Sequence, residues 1–452
     1  MTTSQSYSCL TGKSFVTLAG GVSVRTPSNG PDRPLLHEPN LRRYVAARLV
    51  SLAGSAITYV VMPVLVYGIT GSATWTALVA VAEGLPYLLT GLWAGLLADR
   101  FERKAVMIGA DLAAALVLIS IPIASWFGAL TAPHVLFVAL AAQTIFVFFD
   151  AANLGALPSL VVRQRLPAAN SLIAGGGTVI EATVPAVAGL MLVAIAPSSL
   201  LVIDSVTFVA SALLIRAITR PLSRPRDGTS AGGRAAIAEG IRFLIGHPVL
   251  RYMTVIGSLV AFSGGSLVGI LVVWADRSLG IEEGDWRLGF VFASWGVGGI
   301  VGSFLMPVLV RRLGGVRTAL AFLPLCGAGG AVTAVSTTWT AGLPALACWG
   351  IAYMVVAANS VTLRQQVTPE PLMGRVMTIG RMTSFGSGFP LGALVVGVLA
   401  DHLAVGTALL LCQISLVIAT ATAWMSPLRR APRSLTLPDD ATTEETSQQH
   451  TE

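Results

Sequence analysis

Four acidic residues stand where the surrounding sequence is apolar: Glu83, Asp111, Glu181 and Asp204. Apolar surroundings disfavour the charged form of a carboxyl, so a carboxyl placed there is suited to take up and release a proton. Glu181 is the first candidate. Pro185, four residues on, cannot donate to the carbonyl of residue 181, and Gly175-Gly176-Gly177 loosens the preceding turn. The expectation is a broken helix beside a buried acid, an arrangement suited to a coupling or binding site. Glu83 is second, followed by Gly84 and Pro86 in a similarly softened helix. It lies roughly 12 Å from the nearer end of its apolar segment at 1.5 Å per residue. Asp204 and Asp111 sit nearer their segment ends. For all four, a protonated or hydrogen-bonded structural acid is the competing reading, and it weighs more for Asp204 and Asp111.

Other chemistry lacks residues. The five histidines are scattered, with no HExxH pair. Cys326, Cys348 and Cys412 lie in apolar runs, Cys9 lies in a polar tail, and no CxxC spacing exists, so no metal site or disulfide framework is expected. Gly12-Lys13-Ser14 mimics the end of a P-loop, but Tyr7 stands where its first glycine should be. The residues therefore argue against an enzyme and against any cofactor. Energy would come from an ion gradient or from the substrate's own.

The segments that position the four acids are read from missing charge. None occurs between Arg48 and Glu83, between Asp111 and Asp150, or between Arg317 and Arg364. Each gap is long enough for one or two helices of about 20 residues, the length that crosses a bilayer. Only 11% of the 452 residues are charged, against about 25% in soluble proteins. The net charge of +7 does not point to nucleic acid, because Arg and Lys cluster between the apolar runs. Counting runs predicts twelve spans: 45–69, 75–97, 105–126, 133–156, 171–196, 199–219, 252–276, 288–310, 318–337, 340–362, 377–400 and 404–425. Of 29 Arg and Lys, only Arg277 and Arg287 fall in a loop assigned outside. The positive-inside rule then places both termini in the cytoplasm of a multi-pass inner (plasma) membrane protein.

The predicted organisation is an all-α protein of two pseudo-symmetric six-helix bundles. Residues 1–40 form a disordered cytoplasmic tail, 41–219 the first bundle, 220–250 a cytoplasmic linker, 251–426 the second bundle and 427–452 a second disordered tail. Within the linker, Ile237, Ile241, Leu244 and Ile245 recur at helical spacing and predict a short amphipathic helix on the membrane surface. The halves repeat one another: NLGALPSLVVRQRLPAAN begins at Asn153 and NSVTLRQQVTPEPLMGRV at Asn359. Paired bundles of this kind bind substrate near the midplane and expose it alternately to each side. Aromatic residues such as Tyr59, Tyr87, Trp295 and Tyr353 are candidates to line that cavity, while Trp126 and Trp274, near span ends, read as interface anchors.

The loop after the second span reads Gly95-Leu-Leu-Ala-Asp99-Arg100-Phe-Glu102-Arg103-Lys104. It resembles the signature loop of the major facilitator superfamily, G-x-L-a-D-R-x-G-R-K, with Glu102 where the family has glycine. The resemblance implies that the aspartate meets the start of the eleventh span and the second arginine an acid at the inner end of the fourth. Arg375 and Arg381 begin the eleventh span and Asp150 ends the fourth, so Asp99, Arg103, Asp150 and Arg381 are expected to form a latch between bundles. The matching loop of the second half, Arg311-Arg312-Leu-Gly314, has arginine in place of the aspartate, so one strong latch is expected. Phe149-Asp-Ala-Ala-Asn153, Glu239-Gly-Ile-Arg-Phe243 with His247-Pro248, and Gly374-Arg375-Val376 are similar to a branch of bacterial exporters related to enterobactin exporters and macrolide efflux proteins. The likeness covers about residues 41–425. It implies a secondary transporter that exports a small organic compound (siderophore, drug or other metabolite) by proton antiport. Its partners would be that small molecule, protons and the bilayer, with no nucleic acid, and the chain would be a monomer. The rival readings are a uniporter or importer of a metabolite, and a non-transporting sensor or lipid-handling protein on the same fold.

Overall fold

The computed structural model describes residues 15–17, 23–25, 35–223, 233–282, 284–369 and 372–430. The P-loop-like Gly12-Lys13-Ser14, residues 224–232 of the linker and most of both tails lie outside the described residues. Within the tail expected to be disordered, Phe15–Thr17 pairs antiparallel with Ser23–Arg25. The other described residues are helical or in connecting turns. The first half contains α1 (Pro39–Thr70), α2 (Ala73–Arg100), α3 (Arg103–Trp126), α4 (Ala132–Leu160), α5 (Leu166–Met191) and α6 (Pro197–Arg216). The second contains α7 (Gly233–Gly246), α8 (Pro248–Val268), α9 (Leu271–Leu279), α10 (Arg287–Leu313), α11 (Gly315–Val335), α12 (Trp339–Gln366), α13 (Met373–Thr383), α14 (Phe389–His402) and α15 (Val405–Met425).

Ten described helical segments, α13–α14 counted as one, are long and apolar enough to cross a bilayer, and α7 with α8 passes together across a 99° bend. With α2 and the interrupted α8–α9 unit included, the described residues form twelve helical units. Their ends follow local chemistry. Proline at the first turn starts α1, α4, α5, α6, α8 and α14, where its missing N–H costs nothing. Gly71 closes α1 in the left-handed conformation (φ 62°), and Ser72 caps α2 by accepting from the Trp75 amide at 3.3 Å.

Apolar side chains such as Leu116, Phe137, Val206 and Val417 stay more than half exposed around the perimeter. A soluble protein would bury them, and a lipid solvent accepts them. Trp126 is exposed at its helix end, as an interface anchor should be, but Trp274 is fully buried. It packs over Gly342, so the anchor reading is corrected there.

Two expectations about helix breaks are also corrected. α2 runs through Pro86 and α5 through Gly175–Gly177 and Pro185 without interruption. A proline removes only one helical hydrogen bond, and packing against neighbouring helices holds the rest. The breaks occur in the second half instead. The seventh span divides at Gly269–Ile270, and the eleventh passes through a π-helical turn at Ser384–Gly388. Such turns recur at functional positions.

The amphipathic helix of the linker is present as α7. Its Leu244 is buried against Leu250, Val367 and Val376, while Ile241 and Ile245 remain exposed. His247 caps α8, its Nδ1 accepting from the Leu250 amide at 3.4 Å, and burial holds its protonation below the ordinary histidine range.

Helices α1–α6 pack on one another, as do α8 and α10–α15. The two groups meet along α2 with α14 and along α5 with α10. With twelve helical units, Pro39, α7 and Arg430 share one face, called the tail face below; the other is the far face.

Candidate functional site

A cavity of 470 Å³ lies between the groups, walled by α1, α2, α4, α5 and α6 on one side and α8, α10, α12 and the π-helical turn on the other. Three of the four sequence-selected acids line it: Glu83 from α2, Glu181 from α5 and Asp204 from α6. Glu83 is half-buried and Glu181 is exposed to the cavity. Asp204 is 1% exposed and already satisfied, accepting from the hydroxyls of Thr58 and Thr207. Asp111 does not reach the cavity. It is buried between α3 and α6, with Oδ2 lacking a hydrogen-bond partner among the described residues.

Aromatic rings dominate the wall. Tyr59 of α1 stacks on Trp295 of α10 with centroids 5.8 Å apart, joining the two groups across the cavity. Tyr87, Phe146, Tyr353 and Phe385 add further ring surface, and Gln143 a neutral polar group. Among the described residues lining the cavity there is no Lys, Arg or His. An amphipathic organic molecule that is neutral or carries positive charge matches such walls, and an acidic one does not.

At the tail face, Asp150 of α4 is held from both groups. Arg381 of α13 reaches it at 3.0 Å and Arg48 of α1 at 3.5 Å. Arg381 also donates to the Tyr87 hydroxyl at 3.2 Å. This joins Asp150 and Arg381, two members of the expected latch that were assigned other partners there, and adds Arg48, which sits inside the first span. The remaining loop residues differ from expectation. Arg103 donates to the Gly155 carbonyl at 2.8 Å rather than to Asp150, and Lys104 to the Ile218 carbonyl at 2.8 Å. Both satisfy helix-end carbonyls within the first half, a cheaper use of charge than reaching an acid that two arginines already neutralise. Arg375 pairs with Glu239 of α7, and Arg100 is exposed. Gly95 and Asp99 lie on α2, but the Asp99 side chain is outside the described set.

A second cluster occupies the far face. Asp401, at the end of α14, accepts from the Ser72 hydroxyl at 2.7 Å and from the amides of Ala73 and Thr74 at 2.8 and 3.0 Å. It thereby caps the N-terminus of α2 from the other half of the molecule, where unpaired amides and the helix dipole favour negative charge. Arg277 of α9 donates to the carbonyls of Gly71 and Ala400 at 2.7 and 2.8 Å and lies 3.5 Å from Asp401. The Tyr67 hydroxyl donates to Asp276 at 2.5 Å. Gly397 lets α14 approach this closely, since a Cβ there would stand 3.0 Å from the Ala73 carbonyl oxygen. The signal was present in the sequence: Gly397-Val-Leu-Ala-Asp401 repeats Gly95-Leu-Leu-Ala-Asp99. Outside the spans, the Arg287 guanidinium 2.8 Å away holds the Asp285 carboxyl below the usual carboxylate range.

Comparison with known proteins places this arrangement. The chain is 28% identical over 371 residues to the multidrug efflux pump Tap of Mycolicibacterium fortuitum, covering 78% of this chain and 88% of that protein. It is 27% identical over 357 residues to the enterobactin exporter EntS of Salmonella choleraesuis, covering 75% and 80%. In fold it is similar to a bacterial homologue of the human lysosomal transporter Spinster in an inward-facing, unoccupied conformation (TM-score 0.70, 15% identity, 87% and 97% covered). The nucleoside transporter NupG is similar too (TM-score 0.70, 10% identity, 85% and 99% covered). A family profile described as transmembrane secretion effector matches residues 34–448. The chain is therefore a multi-pass membrane transporter rather than an enzyme, and it belongs to the transmembrane secretion effector family of the major facilitator superfamily.

Proposed function

We propose that this protein exports amphipathic organic compounds, neutral or cationic, across the inner membrane in exchange for protons. The observation that carries the reading is the cavity between the halves, in which Glu83 and Glu181 stand among aromatic rings with no basic side chain on the described walls. A carboxyl there can hold either a proton or a cationic substrate, and competition between the two is sufficient for exchange. Relatives named as a multidrug efflux pump and an enterobactin exporter support the outward direction. The lack of basic side chains among the described lining residues favours the drug-like class over an acidic compound.

In this reading the tail face is cytoplasmic, as the arginine distribution requires. The cavity opens alternately as the halves rock about α2–α14 and α5–α10. Asp401 on the N-terminus of α2 holds the far side shut. Asp150 with Arg381 holds the cytoplasmic side.

The test is transport into proteoliposomes of a fluorescent lipophilic cation, ethidium, under an imposed pH gradient. Wild type is expected to accumulate the dye only with the gradient. Glu181→Gln, whose neutral amide mimics a permanently protonated acid, is expected to lose gradient-driven transport while keeping dye counterflow. Wild-type transport indifferent to the gradient refutes antiport. A Glu181→Gln protein that responds like wild type moves the coupling role to Glu83.

A further inference from the structure

The second half of the molecule holds a cation that the transport cycle above does not use. Arg364, near the tail-face end of α12, is 4% exposed. No acid or carbonyl among the described residues bonds its guanidinium, and its Nε is buried without a hydrogen-bond partner. The hydroxyl of Ser360, one turn earlier, is also buried and unpartnered among the described residues. The guanidinium lies flat against Gly380 of α13, outside the cavity walls. A point over Gly257 of α8, where a Cβ would sit, is 3.4 Å from Ser384 Oγ, 3.6 Å from Arg364 Nη2 and 3.6 Å from Ser360 Oγ.

An isolated buried guanidinium costs several kcal/mol, and buried charges are accordingly paired. Here the groups facing the spot beside the charge are two hydroxyls that rotate freely to donate, and among the described residues no carboxylate pairs with it. Three donors thus converge on one spot that only glycine leaves free. The surplus is a single positive charge, and the space over Gly257 is no larger than a methyl group requires. We propose that this spot binds a small monovalent inorganic anion of the chloride class, held by Arg364, Ser360 and Ser384. The anion would neutralise Arg364 and tie α8 and α12 to the π-helical turn of the eleventh span. The inference is independent of the proposed substrate.

Thermal unfolding of the full-length purified protein in sodium chloride and in sodium gluconate of equal ionic strength tests it, with retention of radioactive chloride as a second readout. Gluconate is too large for the spot. Wild type is expected to gain about 2–4 °C in Tm, saturably, with chloride and to retain one chloride per chain. Gly257→Ala places its Cβ at ordinary contact distance from all three groups, so it should fold and fill the spot, and both effects should vanish. Arg364→Gln should likewise lose both; should it fail to fold, Gly257→Ala decides alone. Equal Tm in the two salts with no retained chloride overturns the proposal, as does full chloride dependence in Gly257→Ala.

Discussion

The two faces of the molecule are tied by different kinds of contact. At the far face, Asp401 spends its charge on a helix terminus: three donors of the first half, two of them backbone amides, converge on one carboxylate. Arg277 adds a bond to the Gly71 carbonyl across the same seam. At the tail face the described link is one arginine, and its acid is shared. Asp150 already has Arg48 from its own half, so the charge stays compensated when Arg381 leaves. The Arg381 side chain is also 47% exposed, which screens the attraction. A clamp built on backbone amides must be withdrawn whole, whereas a bridge to a shared acid can be exchanged. The difference suits a cycle in which one side opens more readily than the other.

The largest effect is expected from the clamp. Asp401→Asn removes the charge from three charge-assisted hydrogen bonds, worth about 1–3 kcal/mol together. Because the contact exists only with the far side closed, its loss shifts the equilibrium about 5- to 150-fold toward the far-open state. An impermeant thiol reagent should then label Gln143→Cys, in a cysteine-free background, faster from the far side by a factor in that range. Arg381→Ala should act in the opposite direction and more weakly. A half-exposed pair contributes about 0.5–1 kcal/mol, so labelling from the tail side should rise about 2- to 5-fold. Arg375→Ala should change neither rate by as much as 2-fold, since its partner Glu239 belongs to the same half and the pair moves as one body. An Arg375→Ala effect equal to that of Arg381→Ala would remove the distinction between ties across the seam and ties within a half.

Much of the scaffold was legible from hydropathy, because lipid leaves few alternatives to an apolar helix. The apolar segments that carry Glu83, Glu181 and Asp204 to the cavity were found that way. Asp111 was selected with the others because spacing along α3 does not say which face meets the cavity and which meets α6. The helix breaks were misplaced because Pro185 and Pro86 are strong local signals that packing overrides, whereas the π-helical turn at Ser384–Gly388 has no proline until Pro390. The family loop placed Asp150 and Arg381 in one latch but gave Asp150 to Arg103 and the start of the eleventh span to Asp99, whereas Asp150 pairs with Arg381 and Arg103 turns to the nearer Gly155 carbonyl. Asp401 was missed although its neighbours repeat the Asp99 sequence. It lies between the spans read as 377–400 and 404–425, where hydropathy carries no signal for a helix cap.

The central claim is that the two ends of the seam open in alternation, each restrained by its own tie. Electron–electron distance measurements in lipid nanodiscs test it most directly, using spin labels at Ala129 and Thr338 across the far face and at Glu102 and Arg312 across the tail face, all exposed positions. The account predicts that Asp401→Asn lengthens the far-face distance while shortening the tail-face one, and that Arg381→Ala does the reverse. Distances that lengthen together at both faces in either variant, or that stay unchanged in Asp401→Asn, would contradict it.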